Sequence, residues 1–336
     1  MVKLGADVFS GIDNYSGNSP SGNFTGFSMM HESGTGGAPK YGVVSQLPVL
    51  GDILNPLANL HATRSAPDVT SLGYFQASLG SNITVELSAT SRAGIYQYTF
   101  PSESKPNVVV DVSHVLPSFR GQGLSQTYRG GNMTILDDHY EGYGVYDNGW
   151  NRAPDWKIHF CGYFDQPTTP RTFVAQAGDE TSIADYSNNP QAISTTRVGS
   201  VFTFNTTTVT SRVGISFMSS AQACDNVNTQ IPEGTRLESV IANARDVWNR
   251  DVLSKITTSE SKEGNLQLLY SSMYHMHMIP SNRTGENPLW SSDEPYYDDT
   301  FTLCKYLKDL NLASTTVITY LMDFTPRLGH RLDGNC

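Results

Sequence analysis

Apolar residues in this chain alternate with polar ones up to about residue 230, and beyond Pro232 they recur every three or four positions. The first period belongs to half-buried strands and the second to an amphipathic helix, so the change divides the fold. Before it, Ile83, Val85 and Leu87 alternate with polar residues, Ile95 to Phe100 follows a glycine turn, and Val108 to Val112 is a short apolar run. Trp156, Ile158 and Phe160 alternate again, as do Val213, Ile215 and Phe217. Turn residues stand between these runs, for example Arg129-Gly-Gly-Asn132 and Ser187-Asn-Asn-Pro190. Short strands with turns between them predict an antiparallel sandwich or barrel over residues 1–231, with no helix and no fixed-period repeat inside it. Composition agrees: 16% of residues are charged, against about a quarter in ordinary domains, and Gly (29) and Tyr (17) are plentiful.

After Pro232, Thr235 and Glu238 have the spacing of a capping box, and Leu237, Val240, Ile241, Ala244, Val247 and Trp248 form one apolar stripe. The spacing predicts a helical linker over 232–262. A polar break from Thr257 to Lys262 precedes a second helical stretch carrying Leu266, Leu269, Tyr270 and Met273, with Pro280 at its end. An acidic loop follows, then a last segment from about Tyr297. The coarse class is mainly β with α: a large β domain, a linker helix and the start of a helical domain over 263–303.

The net charge of −10 argues against nucleic acid, whose phosphates need a basic face. No apolar run is long enough to span a membrane. Cys161, Cys224, Cys304 and Cys336 have no metal-site spacing. Cys161 and Cys224 are read as two buried thiols in preference to a disulfide. Sequons begin at Asn14, Asn23, Asn82, Asn132, Asn205 and Asn282, which suits a surface that passes through the secretory pathway. The first residues, Met-Val-Lys-Leu-Gly, carry no signal-peptide pattern, so the chain as written would be cytosolic.

The run Phe27-Ser-Met-Met-His31-Glu-Ser-Gly-Thr-Gly-Gly37 is the most distinctive. Its glycines let backbone approach a ligand, and His31, Ser33 and Thr35 supply hydroxyl-binding groups. A phosphate loop would want a helix and a lysine next, whereas Ala-Pro-Lys-Tyr-Gly leads into another strand-like run. The competing reading is a glycine turn without a ligand. The pattern GFSxxHxSGTGG resembles the N-terminal signature of the family-92 glycoside hydrolases. Tyr274-His275, Pro280 and Asp293 to Leu303 are similar to the segment that opens that family's helical domain. Val213-Gly-Ile-Ser-Phe217 with Ala223-Cys224 and Ile231-Pro232 is similar to its last sandwich strand and exit.

That resemblance implies a galactose-mutarotase-like β-sandwich packed on an (α/α)6 barrel, of which this chain holds the first helices. It further implies calcium-dependent, inverting removal of terminal α-linked mannose, with mannose-containing glycans as partners and an extracellular or secretory location. Carried over residue by residue, the sugar-binding candidates are His31, Ser33, Gly34, Thr35, Gly36, Gly37, Glu294, Tyr297 and Asp298. The family's acid and base lie in later helices, so no catalytic residue is named and no turnover is expected of this chain by itself. Met1 to Gly5 resembles the interior of a family motif, so an opening sandwich strand and a signal peptide are expected upstream. Cys304-Lys305 stands where the family has an aromatic residue and Asp, and 304–336 does not resemble it.

Other candidates are read as structural. Asp293, Glu294, Asp298 and Asp299 form a solvated loop beside a helix start. His275 and His277 point to different sides of a helix, and Asp137-Asp138-His139 is a polar loop. Tyr140 to Tyr146 packs a sheet or stacks on sugar. Two further functions remain: a non-catalytic carbohydrate-binding or structural module, and glycoprotein deglycosylation by an amidase with Cys161 as nucleophile, a residue that lacks an evident partner in sequence.

Overall fold

The structure, a computed structural model, describes residues 1–11, 18–32, 40–102, 104–118, 125–149, 153–278, 281–292 and 295–296. The described strands are β1 (Gly5–Phe9), β2 (Asn23–Ser28), β3 (Ser45–Leu50), β4 (Val69–Ser71), β5 (Tyr74–Ser78), β6 (Thr84–Ala89), β7 (Ala93–Thr99) and β8 (Pro106–Asp111). They continue with β9 (Tyr128–Ile135), β10 (Tyr140–Tyr146), β11 (Trp156–Phe164), β12 (Thr169–Gln176), β13 (Asp179–Ser187), β14 (Gln191–Ser194), β15 (Val198–Thr203) and β16 (Thr208–Ser216). One sheet runs β1-β2-β3-β8-β15-β12-β13 and the other β14-β9-β10-β11-β16-β7-β6-β5-β4. Neighbouring strands are antiparallel throughout both sheets.

The two sheets face each other across one core. Val85 and Leu87 of β6, Ile158 and Phe160 of β11, and Val213 and Ile215 of β16 all enter it, so the alternating pattern marks the inward faces. β8 is apolar on both faces because a second, smaller core lies outside it. Val108 and Val110 face the main core, while Val109 packs with Leu57, Phe173 and Val201. A polar tie crosses the main core at Gln46 on β3. Its amide donates to the Tyr140 hydroxyl (2.9 Å) and to Ser211 Oγ (2.9 Å), and its carbonyl oxygen accepts from the Tyr98 hydroxyl (2.8 Å). The ring system Tyr140, Phe160, Phe164 and Phe202 surrounds this tie.

Three features differ from the sequence expectations. First, a helix α1 (Ser220–Gln230) lies inside the stretch expected to be all strand, capped by Ser219 Oγ accepting from Gln222 N at 3.1 Å. It buries only Ala223, Asn226 and Val227, a stripe with two apolar members, which is why its period does not stand out. Gly214 admits it: a Cβ there would sit 2.1 Å from the Ala223 carbonyl oxygen. Second, Cys161 on β11 and Cys224 on α1 form a disulfide across 63 residues, where two thiols were expected. α1 lies flat on β11 and β16, and that packing, invisible in residue spacing, brings the sulfurs together. Third, α2 (Leu237–Asp251) begins after Arg236, and no side chain caps it, so the Thr235–Glu238 box does not form. Glu238 pairs with Arg236 instead, at 3.3 Å.

Leu237 and Val240 of α2 join Ala93, Ile95, Val227 and Ile231 in a small core on the outer face of the nine-stranded sheet. A 3-10 turn (Leu253–Lys255) leads on to α3 (Glu263–Met276), which Trp248 meets through Tyr274 at 4.9 Å. α3 buries Met273 and leaves Leu268 68% exposed. Its end is set by His277, which caps it, while Pro280 lies outside the described residues.

Candidate functional site

His31 follows the end of β2 and bridges to Tyr41, so the two close the base of the glycine-rich loop. The ring is buried (4% exposed) and both nitrogens face protein oxygens. Nδ1 donates to the Lys3 carbonyl at 2.7 Å, and Nε2 lies 2.6 Å from Asp7 Oδ1 and 3.3 Å from Ser28 Oγ. Ser28 also donates to Asp7 Oδ1 at 3.0 Å, and His114 Nε2 reaches Asp7 Oδ2 at 2.9 Å. Asp7 itself is fully buried on β1. Burial pushes its carboxyl up, but the attraction of His31 and the hydrogen bonds from His114 and His31 outweigh that and hold it well below the usual carboxylate range. Burial likewise lowers the His114 imidazole, and the hydrogen bond and charge of Asp7 reverse this to a net rise. His31 therefore bolts β1, β2 and the loop base together; its hydrogen-bonding atoms are committed within the protein.

The chain leaves the loop through a contorted stretch. Tyr41 (φ 75), Gly42 (φ 74) and Val44 (φ 55) all occupy the left-handed region, which costs a non-glycine residue about 1–3 kcal/mol. Neighbouring segments hold it: Gly42 N donates to Met30 O (2.9 Å), Leu116 N to Tyr41 O (3.1 Å), and Tyr41 N to Gln126 Oε1 (3.1 Å). A Cβ on Gly42 would lie 2.6 Å from Leu116 Cγ, so this position has space only for glycine.

Tyr41 is the centre of the arrangement. Its ring meets Trp156 edge-on at 5.3 Å, and Trp156 stacks on Tyr146 at 4.9 Å and leans on Phe217 at 6.0 Å. The Tyr41 hydroxyl accepts from Arg283 Nη2 at 2.7 Å, and the Arg283 guanidinium lies over the Phe217 ring at 4.9 Å. Glu286 anchors the same segment. Its carboxylate accepts from Arg92 Nε (2.8 Å), Ser216 Oγ (2.7 Å) and Phe217 N (2.8 Å), and Arg92 Nη2 also donates to the Thr284 carbonyl (2.6 Å). Tyr296 closes the group edge-on against Phe217 at 5.1 Å. Residues that flank the glycine-rich loop, Gln126, Trp156, residues 281–292 and Tyr296 thus meet at one end of the sandwich, over a buried floor of aromatic rings and one arginine.

Of the sequence candidates, His31 sits at this base, while Ser33, Gly34, Thr35, Gly36, Gly37, Glu294, Tyr297 and Asp298 lie outside the described residues. So do Asp293, Asp299 and Asn14. Asn82, Asn205 and Asn282 are exposed, whereas Asn23 and Asn132 are half-buried in β2 and β9. Tyr140 and Tyr146 are buried in the core, so core packing prevails for both; Tyr143 faces outward under Lys157 Nζ, 4.4 Å from its ring centre. His277 Nδ1 is spent on the Met273 carbonyl at 2.8 Å. Asp7, Tyr41, His114, Arg283 and Glu286 were not identified from sequence. The available signal was a charged residue within an otherwise strand-like run, as in Gly5-Ala-Asp-Val-Phe9.

His114 also lines a cavity of about 240 Å³ on the outer face of the seven-stranded sheet, with Asp111, Arg197, Ser45, Asn59 and Phe9. Arg197 Nη2 donates to Asp111 Oδ2 at 2.7 Å. Burial pushes the Asp111 carboxyl up, and Arg197 with the Ser113 hydrogen bond brings it below its ordinary value.

Two family models match the chain. The glycosyl hydrolase family 92 N-terminal domain matches residues 1–216, and the glycosyl hydrolase family 92 catalytic domain matches residues 222–312. A curated relative described as an uncharacterized secreted glycosidase, from Arthroderma benhamiae, is 29% identical over 337 residues. That match covers 90% of this chain and 41% of the relative. Among solved structures, the family-92 glycosyl hydrolase ccman5 superposes with a TM-score of 0.70 at 18% identity, covering 85% of this chain and 38% of that one. The family GH92 inverting mannosidase BT2199 from Bacteroides thetaiotaomicron gives 0.68 at 18% identity, covering 89% and 38%. The family GH92 α-mannosidase BT3965 from the same organism gives 0.64 at 21%, covering 82% and 37%. The chain therefore spans about two fifths of the length of the relatives it matches, and the likeness to the solved structures is one of fold.

Proposed function

Because the chain belongs to glycosyl hydrolase family 92, we propose that it supplies the sandwich and the opening catalytic-domain segment of a secreted exo-α-mannosidase acting on mannose-containing glycans. The observation that carries this reading is the docking of residues 281–292. Arg283 and Glu286, within the catalytic-domain match, fasten to Tyr41, Arg92 and β16, beside the base of the glycine-rich loop. A sugar pocket between the sandwich and the helical domain would open above this floor. Ser33 to Gly37 and Glu294, Tyr297 and Asp298 are its proposed sugar-facing residues, with His31 holding the loop in place. Fold relatives described as an inverting mannosidase and an α-mannosidase support the reaction class.

Inversion asks for one carboxylic acid to protonate the leaving oxygen and one carboxylate to activate water, about 6.5–9.5 Å apart. We assign both to parts of the family's catalytic domain other than the segment described, so turnover requires that domain. Calcium, if it serves this enzyme as the resemblance implies, takes about six to eight oxygens. Among the described residues, the one group of three or more metal-binding side chains is His139, Cys161 and Cys224, whose nitrogen and sulfurs do not fit it. We therefore derive no step through calcium.

Secretion is supported by the disulfide, the sequons and the secreted relative. Among the described residues no helix is long and apolar enough to cross a membrane. The amidase alternative loses its nucleophile, because Cys161 is fully buried and bonded to Cys224. The test is hydrolysis of aryl glycosides by this chain joined to a complete family-92 catalytic domain. Cleavage of the α-mannoside, with the β-mannoside and α-glucoside untouched, is expected. Cleavage of another glycoside in its place, or of the glycan-to-asparagine amide, overturns the reading.

A further inference from the structure

None of the residues lining the cavity beside His114 belongs to the Tyr41–Arg283 arrangement. The cavity lies on the outer face of β1, β3 and β8, where Ser45 stands directly opposite Asp111. Gly26 makes room for the Ser45 hydroxyl, since a Cβ there would lie 1.9 Å from its oxygen. Two loops wall the space, and both are fastened. Arg197 Nη1 donates to the Leu57 carbonyl (3.0 Å) and Asn107 Nδ2 to the Gly51 carbonyl (2.8 Å), which holds the first. Ser113 N donates to Asp111 Oδ1 (2.8 Å) and Leu116 N to the Tyr41 carbonyl (3.1 Å), which holds the second. A volume of about 240 Å³ is far above the roughly 10–15 Å³ that one water needs. The space is therefore preformed and of small-molecule size.

Its polar atoms fall into two groups. The charged ones are already paired, Asp111 with Arg197 at 2.7 Å and His114 with Asp7 at 2.9 Å. A charged ligand would meet no spare opposite charge and would lose its hydration without compensation. The others are unspent. Among the described residues, His114 Nδ1, Ser45 Oγ and the Asn59 side-chain amide make no hydrogen bond, although Ser45 is only 2% exposed. A hydroxyl suits all three, because it both donates and accepts and so serves His114 Nδ1 with or without a proton. Leu60, Val109 and the half-exposed Phe9 ring supply apolar surface beside them.

We propose that this cavity binds a neutral hexose, whose hydroxyls are taken by His114, Ser45 and Asn59 and whose C–H face lies on Phe9 and Leu60. This does not depend on the mannosidase reading.

The experiment titrates the full chain with D-mannose, D-glucose, D-glucuronate and acetate, followed by saturation-transfer NMR. The same titrations are run on Ser45→Ala, Asn59→Ala and the double variant. The neutral hexoses should bind, and each single variant should weaken them about two- to tenfold, the range of one hydrogen bond. Neither side chain has a hydrogen-bond partner in the protein, so thermal melting of the variants should match that of the parent and separate lost binding from lost fold. Failure of both hexoses to bind overturns the proposal. Equal affinity in the double variant does so too, by putting the sugar elsewhere, for example over the Tyr41 floor. Tighter binding of glucuronate or acetate than of either hexose would make the cavity an anion site and also overturns it.

Discussion

Asp7 is buried without exposure, yet its charge survives because two imidazoles and a hydroxyl surround it. Removing one side of such an arrangement strands the other, and Asp7→Asn should cost about 3–5 kcal/mol in urea unfolding. The pH dependence follows from the two shifted groups. Asp7 has a folded pKa below its ordinary 3.8, so its stabilisation is present above that value and is lost as pH falls through the depressed one. His114 is raised above 6.5, so its contribution is complete below 6.5 and is lost as pH rises through the raised value. The unfolding midpoint should therefore be highest between about pH 4 and 6.5 and fall on both sides, and Asp7→Asn should flatten both limbs. A profile unchanged by Asp7→Asn would contradict the cluster. At Gln46, Gln46→Leu should cost about 1–3 kcal/mol by leaving the buried Tyr98 hydroxyl without its acceptor. His31 was expected to bind sugar, whereas both its ring nitrogens are spent on Lys3, Asp7 and Ser28, and none of these partners was foreseen. Asp7 lies 24 residues away, and only the β1–β2 pairing brings the two together.

Among the elements, strands were legible and helix contacts were not. Val85, Leu87, Ile158, Phe160, Val213 and Ile215 announced inward faces because a strand's period of two needs no knowledge of its neighbours. α1 escaped notice because its buried stripe contains an asparagine, whose side chain is satisfied by the Ile215 carbonyl at 2.9 Å. With α1 unseen, the Cys161–Cys224 bond could not be inferred. Closing a 63-residue loop restrains the unfolded chain by about 4 kcal/mol. Cys161→Ser with Cys224→Ser should lose most of that on thermal melting. The segment 281–292 offers a local test. Glu286→Ala removes the acceptor for Arg92, Ser216 and Phe217, and limited proteolysis should then speed up between residues 277 and 292 while cleavage elsewhere is unchanged. Equal cleavage in both proteins would mean that Glu286 does not hold the segment.

For the whole molecule, the alternating period marked the β-sandwich, but the helices begin with α1 at Ser220, ahead of the change of period near Pro232. The Tyr41–Arg283 contact was less legible, because the two residues are 242 apart in sequence and meet only in the folded chain. That docking, with the packing of α1 and α2 on the sheet, joins the two family matches, and it motivates the proposed division of labour. The sandwich and residues 281–296 shape the sugar pocket, while the rest of the helical domain supplies acid and base. The direct test is release of free mannose from α-linked mannobiose, with calcium present, by this chain alone and by the chain joined to a complete family-92 catalytic domain. The account predicts mannose from the joined protein and none from the chain alone. Mannose released by the chain alone would contradict it and place the acid and base within these 336 residues.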